Sequence, residues 1–284
     1  MDASAAGLVA TLRGADRDRY LCLLYAPEDK REDLAAIYAF NAEIAAIRDR
    51  VREPLPGEIR LQWWRDVLAA PDGEGAGHPL ASALLGAIRR HGLPRAAFDA
   101  YLDARIFDLY DDPMPARGDL EGYCGETASA LIQLSALVLA PQEAAGAAEA
   151  AGHAGCAQTI AGLLRLLPLH RARGQCFVPR DILAAAGTGP EAFVDGSDEG
   201  AAARAVEAMV ALGREHLGGF LRHTGEISAA LRPAFLPVAP VAAYLANVAG
   251  APAAALKQPA GIADWRRQWI IFRAASGAWP KLKS

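Results

Sequence analysis

The side chains able to do chemistry in this 284-residue chain fall in a few short stretches. One is Phe40-Asn41-Ala42-Glu43-Ile44-Ala45-Ala46-Ile47-Arg48-Asp49. Two carboxylates four residues apart share a helix face and can share a divalent cation such as Mg²⁺. Glu43 and Asp49 are six apart, roughly 240° around a helix, so that spacing does not favour a common metal. Asp99 and Asp103 have the spacing of a metal pair, with Asp108 further along. The same spacing describes an exposed acidic face opposite an apolar stripe through Tyr101 and Ile106. Arg48, Arg50, Arg52, Arg60 and Arg65 form a basic cluster. Guanidinium forks can hold a phosphate without metal, or can simply pair with Asp49, Glu53, Glu58 and Asp66 on a solvated face. Arg171 and Arg173 precede Gly174 as a second basic pair, either an anion site or a flexible loop. His170 can serve as a general base, but it lacks a partner motif, as do His78, His91, His153, His216 and His223. Cys22, Cys124, Cys156 and Cys176 form no CxxC and no zinc spacing with histidine, so they read as small buried residues in a reducing compartment.

The elements that must position these residues are helical. Alanine is abundant, aromatics are 7%, and valine and isoleucine are sparse, which predicts an all-α chain. Leu34, Ile37, Tyr38, Ile44, Ile47 and Val51 recur at helical spacing, predicting one helix from about residue 30 to 51, ended by Pro54 and Pro56-Gly57. A second helix carries Leu61, Trp63, Trp64, Val67 and Leu68, followed by a loop over 71–77. Further helices are predicted over 79–90, 94–109, 120–139, 141–167, 201–220, 225–244 and 264–273. The nearly all-apolar stretch 120–139 implies a central position. Residues 185–200 read as the longest polar loop. No repeat or interdomain linker is visible, so the expectation is an N-terminal arm over 1–16 and one all-helical domain over 17–284.

Composition excludes some classes of partner. Net charge is -4, with Lys+Arg 29 against Asp+Glu 33, which gives no case for nucleic-acid binding. The apolar run 128–141 is too short to span a bilayer, and no signal-peptide core is seen, so a cytoplasmic protein is the expectation. The terminal DWRRQWIIFR (264–273) suits peripheral contact at the inner face of a membrane, although a packed terminal helix has the same composition.

Taken together, residues 17–49, GEIRLQWWRDVL (57–68), LEGYCGETASALIQL (120–134) and RARGQCFVP (171–179) resemble the squalene/phytoene synthase family. The resemblance implies a single-domain isoprenoid-synthase-like helical bundle around a central cavity. It also implies head-to-head joining of prenyl diphosphates with magnesium held by two aspartate-rich helical motifs. In this sequence Ala45 and Ala46 stand where the first motif has its leading aspartates, leaving Asp49. In the second, Leu166 and His170 stand at the aspartate positions, with Pro168 between them. One aspartate does not hold a magnesium cluster against the cost of burying several charges. The resemblance therefore implies a degenerate member with no catalytic residues and no cofactor, whose ligand-binding candidates are Tyr20, Arg48, Asp49, Arg171 and Arg173. The alternative is an active prenyltransferase with Mg²⁺ on Asp49, Glu43, Asp103 and Asp108. Residues 40–44, Glu53-Pro54 and residues 57–64 are similar to a subgroup that includes a mitochondrial factor for respiratory complex I assembly. That similarity implies an isoprenoid or lipid ligand, or respiratory-complex assembly partners.

Overall fold

Alanine, leucine, isoleucine and aromatic residues fill the stretch from Asp33 to Asn41, and every side chain in it is buried. A helix apolar around its whole circumference belongs in the middle of a bundle. The computed structural model describes residues 3–70 and 77–282, with side chains from residue 7. The loop expected over 71–77 lies, apart from Gly77, outside the described residues.

The described chain runs through helices α1 (Ala3–Ala15), α2 (Arg17–Leu23), α3 (Arg31–Ala45), α4 (Ile47–Arg50), α5 (Pro54–Ala69), α6 (Pro79–His91) and α7 (Arg95–Ile106). There follow α8 (Arg117–Cys124), α9 (Ala130–Leu139), α10 (Pro141–Ala144), α11 (Ala148–Arg165), α12 (Leu167–Ala172), α13 (Arg180–Ala185) and α14 (Pro190–Asp195). The last are α15 (Glu199–His223), α16 (Arg232–Phe235), α17 (Val241–Gly250), α18 (Pro252–Ala255) and α19 (Asp264–Ala275). No strand occurs among the described residues.

The chain forms two compact units. Unit 1 is Met1–Tyr110, Ala130–Ala148 and Ile227–Pro237. In it α3 packs against α1, α6 and α9, and Leu12, Ile37, Phe40, Leu84 and Phe98 meet in one apolar cluster. Unit 2 is Asp111–Ser129, Glu149–Glu226 and Val238–Ser284. Here α15 buries Ala205, Val206, Met209, Val210, Leu212 and Phe220 and packs on α13, α17 and α18.

Several boundaries differ from the expected ones. The helix expected over 30–51 breaks at Ala46, which separates α3 from α4. Pro54 starts α5 instead of ending its predecessor, because the first helical turn needs no backbone N–H there. The stretch 120–139 is interrupted by a π turn at Gly125–Ser129. Pro190 nucleates α14 inside the expected polar loop, and Phe193 anchors it with a fully buried ring. Residues 225–244 form no single helix, because Pro233, Pro237 and Pro240 divide them. The stretch Arg232–Gly250 is long and apolar enough to cross a membrane, but most of it is buried within the fold.

Candidate functional site

The candidate site in unit 1 is built around Phe40 and Asn41 on α3. The Phe40 ring meets Trp64 edge-on at 5.1 Å, Phe98 at 5.7 Å and Tyr101 at 5.3 Å. This packing fixes the register of the next residue, Asn41, which is also buried. Its Oδ1 accepts hydrogen bonds from Tyr101 Oη at 2.9 Å and Arg105 Nη2 at 3.2 Å. Arg105 also donates to Tyr101 Oη at 3.1 Å and to Asp108 Oδ2 at 2.9 Å. Tyr101, Arg105 and Asp108 reach one another because three- and four-residue spacing puts them on one helix face. Burial raises the Tyr101 phenol, so it stays a neutral donor.

A second buried polar group lies at α2 and α3. Asp16 caps α2 and holds Arg19, whose guanidinium lies 5.8 Å from the Tyr38 ring. Burial opposes the charge on Arg19, but Asp16 outweighs it and the guanidinium pKa is raised. Burial pushes the Tyr38 phenol up to about 12. On the other flank of α3, Asp33 accepts from Arg90 and contacts His91 Nε2 at 2.7 Å. Burial pushes the Asp33 carboxyl up, but the hydrogen bonds from Arg90 and His91 prevail and hold it below the usual carboxylate value.

The residues singled out from sequence in unit 1 are spread from Tyr20 on α2 to Asp108 just beyond α7. α3 ends at Ala45, which is exposed, and Ala46 is half-buried. Arg48 Nη1 donates to the Arg52 carbonyl at 3.1 Å, and Asp49 is exposed on α4. Tyr20 lies under Arg13, 5.9 Å from ring centre to guanidinium. Glu43 faces His78 at 3.8 Å, Asp103 pairs with Arg65, and Asp108 pairs with Arg105. These three acids therefore answer to three different bases. Among the described residues, no three His, Cys, Asp or Glu side chains are arranged to hold a metal ion. The Asp99–Asp103 face is exposed and Tyr101 is buried behind it, as an acidic face would be. Asn41, Tyr101 and Arg105 were not singled out from sequence. The signal for them was the spacing of Tyr101, Arg105 and Asp108 on α7.

In unit 2, Pro168 does end the preceding helix: α11 stops at Arg165 and α12 restarts at Leu167. Arg171 donates to the Leu256 carbonyl at 2.9 Å and lies 5.8 Å from the Phe193 ring. Arg173 is exposed at the end of α12, and Gly174 takes a left-handed turn with φ 79°. The His170 ring rests 4.7 Å from Phe177. At the C-terminus, buried Arg267 ties α19 down through Tyr244 Oη at 3.2 Å and Asp264 at 2.9 Å. With Arg267, Ile271 and Ala274 facing inward, α19 turns Trp265, Trp269 and Phe272 outward, 71%, 57% and 54% exposed. Arg266 and Arg273 are exposed beside them.

Comparison with known proteins bears on both units. The family model for squalene/phytoene synthase matches residues 12–269. The chain is 31% identical to NADH dehydrogenase (ubiquinone) complex I, assembly factor 6, of Rattus norvegicus over 238 residues, which is 84% of this chain and 71% of that protein. It is 30% identical to the presqualene diphosphate synthase of Rhodopseudomonas palustris over 165 residues, 58% of each chain. A crystal structure of a dehydrosqualene synthase in complex with ligand superposes with TM-score 0.79, at 16% identity, covering 96% of this chain and 95% of that one. At that identity the likeness establishes the fold, which is the all-helical isoprenoid-synthase type.

Proposed function

The chain belongs to the squalene/phytoene synthase family, and on that premise we propose that it keeps the fold without the head-to-head condensation and acts in assembly of respiratory complex I. The observation that carries this reading is the end of α3. Ala45 and Ala46 stand where the resemblance puts the first motif's leading acids, and α3 ends at that point. The nearby acids Glu43, Asp103 and Asp108 are each engaged by a base. The similarity to assembly factor 6 over most of the chain supports the assembly role. An isoprenoid or other lipid is the ligand class, with Tyr20, Arg48 and Asp49 as the candidate contacts in unit 1 and, taken separately, Arg171 and Arg173 as those in unit 2.

The outer face of α19 supports a finer reading, peripheral attachment to an anionic lipid surface. Tryptophans at an interface with neighbouring arginines are the composition that binds headgroups. Sedimentation with phosphatidylglycerol vesicles is expected to carry down the wild type and leave a Trp265→Ala/Trp269→Ala variant in the supernatant. Equal sedimentation of the two would remove α19 from the account. The assembly role is tested by gene deletion. NADH-driven respiration and assembled complex I are expected to fall and to return with the wild-type gene, whereas unchanged respiration would defeat the role.

The second reading is an active condensing enzyme, favoured by the similarity to presqualene diphosphate synthase. It calls for Mg²⁺ on Asp49, Glu43, Asp103 and Asp108 to neutralise diphosphate charge. As they stand these residues do not fit a shared cluster, since three of them answer to separate bases.

A further inference from the structure

Unit 2 holds a cluster of ionisable side chains apart from both Arg171 and Arg173 and the outer face of α19. Cys124 ends α8, Cys156 lies on α11 and His216 on α15. Cys124 stands three residues beyond Glu121 on α8 and Cys156 three beyond His153 on α11, so each shares a helix face with a partner of His216, and the two thiols interact with each other and Cys156 with the His216 ring. His216 Nε2 meets Glu121 Oε1 at 3.0 Å, and its Nδ1 meets His153 Nδ1 at 3.2 Å. Arg117 donates to Glu121 at 2.7 Å and forks onto Glu215 at 2.6 and 3.1 Å. Thr159, three residues beyond Cys156 on α11, also interacts with Cys124. The cluster thus runs from a buried pair of sulfurs, through an imidazole, to a carboxylate and an arginine at the surface.

Two glycines make this convergence possible. A Cβ on Gly155 would fall 2.1 Å from Ser129 Oγ and 2.4 Å from Ser129 N, so α11 must pass the π turn at that point without a side chain. A Cβ on Gly219 would fall 2.6 Å from the His153 ring. Bare backbone at these two positions lets α11 pass close to Ser129 in the π turn that follows Cys124, and makes room on α15 for the His153 ring that meets His216.

We propose that Cys156 and Cys124 are an oxidation site, in which Cys156 attacks a hydroperoxide and Cys124 resolves the product to an intramolecular disulfide. Cys156 gives its proton to His216, and its sulfur attacks the terminal peroxide oxygen, breaking the O–O bond and becoming a sulfenic acid, oxidised by two electrons. The displaced alkoxide, or hydroxide when the oxidant is hydrogen peroxide, takes that proton from His216 and leaves as alcohol or water. The Cys124 thiol then attacks the sulfenic sulfur, the S–O bond breaks, and water leaves. In sum, two thiols and one hydroperoxide give one disulfide, one water and one alcohol, or two waters when the peroxide is hydrogen peroxide.

The four cysteines supply an internal contrast. Cys22 and Cys176 are buried, and burial raises both thiols, Cys176 to about 11. Cys156 departs in the other direction: the Cys124 hydrogen bond first, and then His216, lower it against the effect of burial. Cys124 is raised by its interaction with Cys156, and it is the more deeply buried of the two, which makes Cys156 the sulfur a peroxide meets first and Cys124 the resolving one. Cys156 is 6% exposed and Cys124 0%, which admits a small peroxide better than a bulky disulfide.

The test uses the full reduced chain, treated with hydrogen peroxide, quenched and digested with a Glu-specific protease. Glu126, Glu143 and Glu149 lie between the two cysteines, so a disulfide appears as a cross-linked peptide pair. The expected result is a Cys124–Cys156 cross-link while Cys22 and Cys176 remain thiols. In Cys124→Ser, dimedone is expected to label Cys156 as the trapped sulfenic acid. In His216→Gln, the oxidation rate at neutral pH is expected to fall by about tenfold. If Cys156 in the folded wild type oxidises no faster than Cys22 or Cys176, or forms no link to Cys124, the proposal is overturned.

Discussion

Asn41 on α3 and Cys156 on α11 are both buried in their own units, and both sit among hydrogen-bonding neighbours. Around Asn41 the acceptor is a neutral amide, and its donors are a phenol and a guanidinium that keep their protons at ordinary pH. Around Cys156 the neighbours are a thiol raised above its ordinary value, a carboxylate held below its own, and the His216 imidazole, raised from an ordinary value that lies near neutrality. The first arrangement can only fix geometry. The second can move a proton. The family resemblance points to the α3 segment for chemistry; its residues from Asp33 to Asn41 are buried in packing, and the cluster that holds a titratable imidazole lies in unit 2.

The contrast can be tested by removing its parts. The largest effect is expected from Phe40→Ala, which deletes a fully buried ring with three aromatic neighbours and should cost about 3–5 kcal/mol in urea unfolding. A loss below about 1 kcal/mol would show that α3 is not the packing centre. Asn41→Ala should cost roughly 1–3 kcal/mol, because Tyr101 and Arg105 lose a buried acceptor. Adding Tyr101→Phe should then cost less than it does in the wild type, since the two changes break the same bond. Additive losses would mean the network is not coupled.

A smaller effect separates the two units by pH. The Asp33 carboxyl is depressed in the folded state, so its contribution is present above the unfolded value of about 3.9 and is lost as pH falls through the folded value. The His216 imidazole is raised, by Cys156 first and by Glu121, with burial opposing. Its contribution is present below the unfolded value of about 6.5 and is lost as pH rises through the folded value. Urea midpoints across pH should therefore lose their acid-side slope in Asp33→Asn and their neutral-side slope in His216→Gln. Identical profiles for both variants and the wild type would contradict the assignment. The smallest effect is expected from Ala45→Asp/Ala46→Asp. One position is exposed and the other half-buried, so stability should change by about 0.5 kcal/mol or less, and the acids should not restore condensation.

Much of this organisation was readable from residue spacing. The helical class followed from alanine content. The α3 and α7 stripes followed from three-to-four periodicity, and the break after Arg165 followed from Pro168. The break at Ala46 was not readable, because alanine favours helix and nothing local requires a stop. The π turn at Gly125–Ser129 was hidden for a similar reason: it sits in an unbroken apolar run, and its close partner Gly155 is distant in sequence. Trp64 and Trp63 are adjacent, and only packing shows that the first is buried and the second partly open. The histidines looked isolated because their partners come from other helices. His153 and Cys156 are three apart on α11, which was a local hint, but Glu121, Cys124 and His216 are brought in by the fold. Spacing within one helix can be read from sequence, whereas a site assembled from three helices cannot.

The central claim is that the family fold persists here without its condensation chemistry. It is tested most directly by incubating the purified chain with farnesyl diphosphate and Mg²⁺, then with geranylgeranyl diphosphate and Mg²⁺, and measuring released inorganic diphosphate together with the hydrocarbon products. The account predicts no release above a protein-free control. Sustained diphosphate release with a C30 or C40 product would contradict it.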